Sequence, residues 1–497
     1  MTVPIPNAPS GGNCPPDSPF RPVRPLRKRL LPAVMAALPL LTVLLVRGQD
    51  AMPPVLTEEA FMDIVRNYHP VARQANLVVN RATAEWIAAK AGFDPYLGVV
   101  SERKTFDGKN YFDYFSPTLK IPTWYGVEVS AGLEEHLGEF INPERTKGRA
   151  SHLSVSVPVA RDLVIDRRRA VLRQAQLYRG QSRAERALMV NDLMYEALTD
   201  YWKWAQAYVI HGLLAEVVTV NDARLRFIRL SHAQGDRPAL DTTEALAQLQ
   251  SFQLSRDQAW LELRKAALDL SNHLWQANDS PWYLPPQVRP DTSWLGTELR
   301  QAGLPVMDDL LSVALSSHPK LQGFDFKLQA LEVERRLKFQ ELLPQVDLKY
   351  SMLGRGYASI GAEALPFFRN NYKFGIDASM PLFLFKGRGQ YRAARIKIAD
   401  TDLERMRTRQ AISNKVKYHF TELAVQREQS VRAGEYVESN ARLFRGEDMR
   451  FRVGEGTLFL LNARENKLLE ARQKLAETRA KYYLSRISLR WAAGQLQ

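Results

Sequence analysis

Two proline-bounded segments recur in this chain at a single offset, and that duplication constrains the fold more than any other feature. His69-Pro70 opens one segment and Gly92-Phe93-Asp94-Pro95 closes it; His318-Pro319 opens the other and Leu342-Leu343-Pro344 closes it. Pro70 to Pro95 and Pro319 to Pro344 both span 25 residues, so one shift of 249 superimposes the two pairs. An amphipathic stretch precedes each, Thr57 to Val65 and Val306 to Ala314. Two coincidences in register, with like flanks, indicate an internal repeat.

A second device is also duplicated. Met380-Pro381-Leu382-Phe383-Leu384-Phe385-Lys386-Gly387-Arg388-Gly389 joins a short alternating stretch to a Pro-free run of about 60 residues, and Val157-Pro158-Val159-Ala160-Arg161-Asp162-Leu163 is a poorer copy. Proline is tolerated at a strand end and starts a helix well, because neither place needs its missing N–H. The runs 161–231 and 386–451 therefore read as two outsized helices, each approaching about 100 Å at 1.5 Å per residue. Each ends at a glycine-bearing turn, Gln234 to Pro238 and Val453 to Thr457, and a return helix follows. Leu461, Leu468, Leu475, Tyr482 and Leu489 repeat every seven residues in one return helix; Leu254, Leu261, Leu268 and Trp275 do so in the other. One apolar residue per heptad is thin for a two-stranded coil, so lateral packing in helical sheets is expected.

The expected layout is a leader and signal segment over 1–49, entry helices over 50–95, a β segment with loops over 96–158 and a long hairpin over 159–276. After a Pro-rich linker, 277–305, come entry helices 306–344, a β segment 345–381 and a second hairpin 382–497. Arg27-Lys28-Arg29, the apolar run Leu30 to Val46 and Arg47-Gly48-Gln49-Asp50 form a basic, apolar and polar series expected of an export signal cleaved near Gly48. The single cysteine, Cys14, allows no intrachain disulfide and precedes the apolar run, where it cannot be a lipoprotein acceptor. The net charge of +14 raises nucleic-acid binding, but the basic residues are spread along helices beside acidic ones, as on solvated faces.

The β segments alternate with period two and carry aromatic ends, the pattern of strands in a transmembrane barrel. They include Gly126 to Leu133, His152 to Val157, Val346 to Met352 and Tyr372 to Ser379. Four strands per chain, two per repeat, cannot close a barrel, and an open edge in lipid leaves backbone groups unpaired. The chain is therefore expected to share a barrel: twelve strands from three copies or eight from two. Because helices enter and leave on one side, strands come in pairs, so either 96–103 or 124–133 is expected to lie outside the barrel.

In order and spacing, these residues resemble the TolC-like outer-membrane efflux proteins, over about 55–495. The resemblance rests on Leu56-Thr57-Glu58-Glu59-Ala60 with His69-Pro70, on Ala91 to Pro95, on Pro381-Leu382-Phe383 with Gly387 and Gly389, and on Phe451 to Thr457 leading into Leu458 to Ala463. Ile121 to Gly126, with Asn142-Pro143-Glu144, marks a divergent branch. The resemblance implies a mainly α protein with a small β part, built from a duplicated long-helix hairpin. Three chains would form a periplasmic α-helical tunnel and a shared twelve-stranded outer-membrane barrel. It implies a passive conduit of a tripartite efflux or secretion system, a homotrimer embedded in outer-membrane lipid, working with a periplasmic adaptor (membrane fusion) protein and an inner-membrane pump. No enzyme activity, cofactor, metal or nucleic-acid partner is implied. Gate and adaptor contacts would fall on the helix–helix turns, here Gly235, Asp236, Gly454, Glu455, Gly456 and Thr457. Arg237-Pro238 and the sparse acidic residues near the second turn depart from a cation-collecting entrance.

Other motifs read as structural. Gly454-Glu455-Gly456-Thr457 lacks the preceding strand and the Lys of a phosphate loop. His69 and His318 each precede a proline and are expected at helix breaks rather than on a metal. Arg167-Arg168-Arg169 could meet lipid head groups or lie on solvated surface, and Trp202, Trp204 and Trp260 are expected to pack. The rival reading is a membrane-anchored periplasmic coiled-coil adaptor or structural protein with soluble β segments.

Overall fold

The computed structural model describes residues 54–300, 303–357 and 371–496; the expected leader, export signal and Cys14 lie outside them. Among the described residues the element order repeats. A short strand β1 (Val55–Leu56) leads to α1 (Glu58–Tyr68) and α2 (Pro70–Ala89), then to strands β2 (Tyr96–Phe106), β3 (Lys109–Pro122), β4 (Glu128–Leu137) and β5 (Gly148–Pro158). The long helix α3 (Arg167–Ala233) and its return α4 (Ala239–Ser271) complete the first half. After β6 (Arg289–Pro290), which pairs in parallel with β1, come α5 (Met307–Ser317), α6 (Pro319–Gln340), β7 (Gln345–Arg355) and β8 (Tyr372–Ser379). The second long pair is α7 (Phe385–Arg452) and α8 (Leu458–Ala492).

The His-Pro pairs have a local cause. His69 and His318 are extended, and the Nδ1 of each accepts a hydrogen bond from a backbone N–H in the first turn of the following helix: Val71 at 3.2 Å and Lys320 at 3.1 Å. Proline then occupies N1, where its fixed φ suits the helix and no donor is lost. Each histidine is thus a neutral N-cap. Burial pushes each imidazole down to about pKa 4, aided by His273 beside His69 and by Lys415 and Lys320 beside His318.

The long helices, 67 residues in α3 and 68 in α7, each run about 100 Å. They lie side by side with their returns: α4 packs on α3, α3 on α8, and α8 on α7. One apolar cluster joins Leu225 and Ile228 of α3 to Leu249 and Phe252 of α4 and Leu461 of α8. Another joins Val416 and Leu423 of α7 to Tyr482 and Leu489 of α8 and Leu321 of α6. The expected heptad of α8 is therefore core at Leu461, Leu468, Tyr482 and Leu489. That of α4 is not: Leu254, Leu261 and Leu268 face outward, and Trp275 lies beyond the helix end.

An aromatic knot ties the entry helix to this layer. Trp202 stacks on Tyr483 at 4.5 Å and meets Trp294 edge-on, while Tyr201 stacks on Phe61 and donates to the Leu56 carbonyl at 2.9 Å. Trp202 and Trp204 are buried; Trp260 is half exposed.

The sheet corrects the expected strand count. Among the described residues six strands, not four, form one antiparallel meander in the order β2-β3-β4-β5-β7-β8. Four come from the first half and two from the second, so neither 96–103 nor 124–133 is excluded from the sheet. The count of twelve for three copies, which rested on four per chain, does not follow from this topology. The strand passed over is β3, where Pro117 and a crowd of aromatics mask the alternation; the two-residue turn at Asp107-Gly108, both at positive φ, is the local signal that marks the hairpin. Parity is kept, since every pair of strands returns the chain to the helical side.

Candidate functional site

The sheet has two chemically different faces. Val129, Val155, Tyr350 and Phe374 form one cross-strand row on β4, β5, β7 and β8, while the neighbouring row is Ser130, Ser154, Ser351 and Lys373. Period-two alternation sends the first row to one face and the second to the other. Leu153, Tyr372, Phe374 and Ile376 on the apolar face are exposed. Ser154 and Ser351 share a hydrogen bond of 2.8 Å on the polar face. An uncovered apolar face backed by a polar one is the wall pattern of a barrel with lipid outside and water within.

At the sheet–helix junction, Asp166 caps α3 by accepting from the Arg169 N–H at 2.8 Å, and both Arg168 and Arg169 pair with its carboxylate. Arg168 also reaches Glu128 at 3.7 Å. Two of the three consecutive arginines are thus tied into the fold, which leaves Arg167 exposed. In the second half the junction carries Leu382, Phe383 and Phe385 outward, the two rings stacked at 5.6 Å.

The helix–helix turns sit at the far end of the long hairpins. Gly235 and Gly454 both adopt positive φ, +83° and +85°, which allows Asp236 and Glu455 to hydrogen-bond back to Ser231 and Arg450 carbonyls. Gly456 is required for a different reason, since a Cβ there would meet the Phe451 backbone nitrogen at 2.9 Å. Thr457 caps α8, accepting from the Leu460 N–H. Asp236 and Glu455 are exposed. Arg237 bridges the two turns: its guanidinium lies over the Phe451 ring at 4.1 Å and pairs with Asp241 at 3.2 Å.

Behind the turns lies a polar lock that one-dimensional reading missed. Arg224 of α3 binds Glu465 of α8 through both nitrogens, at 2.6 and 2.9 Å, and Asn221 donates to the same carboxylate at 3.0 Å. Both charged side chains are almost buried, about 10% and 7% exposed. Asn462 to Glu244 and Gln248 to Asn466 add bonds between α8 and α4. These residues lie far apart in sequence, and only their placement on helices running to a common end could have suggested a pairing.

Among the described residues no group of histidine, cysteine or acidic side chains could hold a metal ion, and no helix is long and apolar enough to cross a membrane.

The fold is that of bacterial outer-membrane channels. The chain superposes on the CmeC outer membrane channel of Campylobacter jejuni with a TM-score of 0.62 at 14% identity, covering 88% of this chain and 85% of that one. The open-state MtrE outer membrane channel of Neisseria gonorrhoeae gives 0.62 at 14%, covering 88% and 89%. The outer membrane protein VceC of Vibrio cholerae gives 0.59 at 13%, covering 88% and 96%. No curated protein shows significant sequence similarity to the chain. Residues 310–495 match the outer membrane efflux protein family. The second half of the chain thus carries the sequence signature of outer membrane efflux proteins, and 88% of the chain shares the fold of the channels named above.

Proposed function

We propose that the protein is the outer-membrane channel-tunnel of a tripartite efflux or secretion system, a passive conduit built from three copies and gated at its periplasmic helical tips. The observation that carries this reading is the pair of uncovered lateral edges. Among the described residues the helical layer ends on α4 at one side and α7 at the other, and both edges expose apolar residues at heptad spacing: Leu254, Leu261 and Leu268 on α4, Tyr418 with Val425 and Tyr436 with Leu443 on α7. A layer whose two edges each want an apolar neighbour closes on copies of itself.

In this reading the polar sheet face and the inner helix faces line one continuous path. Cargo moves down it without chemistry, driven by an inner-membrane pump through an adaptor that meets the turns at Gly235, Asp236, Gly454, Glu455, Gly456 and Thr457. The Arg224–Glu465 lock holds α3 against α8 and keeps the tips together; opening slides or unwinds these helices and exchanges the lock for water.

The experiment is single-channel recording of the full-length protein in planar bilayers. Wild type should show a small, rarely open conductance, and Glu465→Ala a several-fold larger one. Equal conductance in the two proteins would remove the lock from the gate. A protein that forms no channel at all would remove the conduit.

A further inference from the structure

Resting on the trimeric-channel reading, we propose that the barrel wall contains eighteen strands, six from each chain, and that the free edge of β2 is the docking surface for β8 of the next copy.

The hairpin β2–β3 belongs to the wall because its faces continue those of the other four strands. One unbroken row of opposed residues crosses the whole sheet: Leu97, Leu119, Ala131, Leu153, Met352 and Tyr372. Every side chain in it is aliphatic or aromatic. The adjacent row is Tyr96, Lys120, Ser130, Ser154, Ser351 and Lys373, predominantly polar. A hairpin folded away from the wall, into the lumen or over the rim, would have no reason to keep this two-faced pattern in register with its neighbours. Leu97 and Val99 on β2 are more than half exposed, as are Tyr372 and Phe374 on β8. Charged pairs end the apolar band on the loop side, Arg103 with Asp113 on the hairpin and Arg149 with Glu135 on β5 and β4. The hairpin therefore shares the limits of the band as well as its faces.

The two outer strands are complementary. Among the described residues β2 pairs only with β3 and β8 only with β7, so each leaves one row of backbone donors and acceptors open. In lipid that is untenable. β2 leaves the helical side and β8 returns to it, so they meet antiparallel.

The stagger also fits closure. The polar row places Tyr96, the first residue of β2, level with Lys373, while β8 continues six residues further to Ser379 on the helical side. That is one residue of offset per strand. With a rise of about 3.3 Å per residue and strands about 4.8 Å apart, it tilts the strands by about 35°. Transmembrane barrels tilt by roughly 35–45°. If Ser379 of one copy meets Tyr96 of the next, polar residues face polar residues and the helical ends are level. Repeating the six-residue offset three times closes eighteen strands without a seam. At equal tilt such a barrel is about one and a half times as wide as a twelve-stranded one, because diameter grows roughly linearly with strand number.

Cysteine pairs in the full chain carrying Cys14→Ser, expressed in its outer membrane, test the seam. Val100→Cys combined with Gly375→Cys, and Val100→Cys combined with Asp377→Cys, cover the closing register and its two-residue neighbour. Mild oxidation should link each chain to the next and give a covalent trimer on a non-reducing denaturing gel for at least one pair. Ser130→Cys with Gly375→Cys should give none. Cross-linking through Ser130 and not Val100, or through neither, overturns the eighteen-strand wall while a trimeric mass of the extracted protein leaves the channel reading standing. A mass other than a trimer overturns that reading itself. Hydrogen exchange on the unmodified trimer is independent of any variant: residues 96–106 should be as protected as 148–158, and full exchange at 96–106 overturns the proposal.

Discussion

The two return helices, α4 and α8, carry the same heptad spacing and have opposite fates. In α8 the stripe of Leu461, Leu468, Tyr482 and Leu489 is core, covered by α3, α4, α6 and α7 of its own chain. In α4 the stripe of Leu254, Leu261 and Leu268 lies open, while Leu249, Phe252 and Ala259 on another face hold the helix to α3. Position in the layer decides this. α8 is internal, flanked by α3 and α7, whereas α4 is an edge. A heptad therefore says that a helix has a neighbour, and says nothing of whether that neighbour is in the same chain.

The sheet repeats the lesson. Among the described residues its inner strands are satisfied on both sides, and its edge strands β2 and β8 are not. Helical layer and sheet are thus each incomplete at two edges.

The largest effect should come from inside the chain. Glu465→Ala leaves the Arg224 charge almost buried without its counter-ion, with Asn221 Oδ1 at 2.9 Å as its remaining acceptor, which costs about 3–5 kcal/mol. Thermal unfolding of the detergent-solubilised protein should register it, and Glu465→Gln, which keeps hydrogen bonds, should recover part of the loss. Close behind, Leu461→Ala empties a fully buried site at about 2–5 kcal/mol. Leu261→Ala should leave the unfolding of the single chain almost unmoved, and a loss as large as that at Leu461 would break the comparison. At the edge, Leu254→Glu with Leu261→Glu should convert trimers into smaller species, since each buried leucine contributes about 1.5–3 kcal/mol. Native gels after detergent extraction would show it, and an undisturbed trimer would place the contact elsewhere.

The smallest effect is a pH dependence that both repeats share. His69 and His318 are held neutral with pKa near 4, below the ordinary 6.5 of an unfolded histidine. As pH falls below about 6.5 the unfolded chain takes up protons that the folded one refuses, so stability declines until about pH 4 and then levels off. Their Nδ1 atoms, moreover, accept cap hydrogen bonds only when unprotonated. His69→Asn with His318→Asn keeps a capping acceptor and should flatten the stability profile between pH 4 and 6.5; an unchanged slope would assign the dependence to other groups.

Much of this architecture is legible in the linear chain because its cues are local or strictly periodic. Prolines at one offset mark the entry helices, the absence of proline marks α3 and α7, and Gly235 and Gly454 mark their ends. The strand count was less legible. Pro117 and the aromatics around it interrupt the alternation of β3, so a hairpin that pairs along its length, with one register shift at Lys104/Thr105, reads as loop. The lock behind the turns was not legible, because Arg224 and Glu465 meet only once two helices of about 100 Å have been laid side by side. The exposure of the α4 stripe likewise depends on which helices flank it, which no spacing encodes.

The most direct test of the central claim, that the chain is completed by copies of itself in the outer membrane, is the oligomeric mass of the protein extracted in detergent from separated outer membranes. The account predicts a trimer in that fraction. A monomer or dimer, or protein recovered only from the inner membrane, would contradict it.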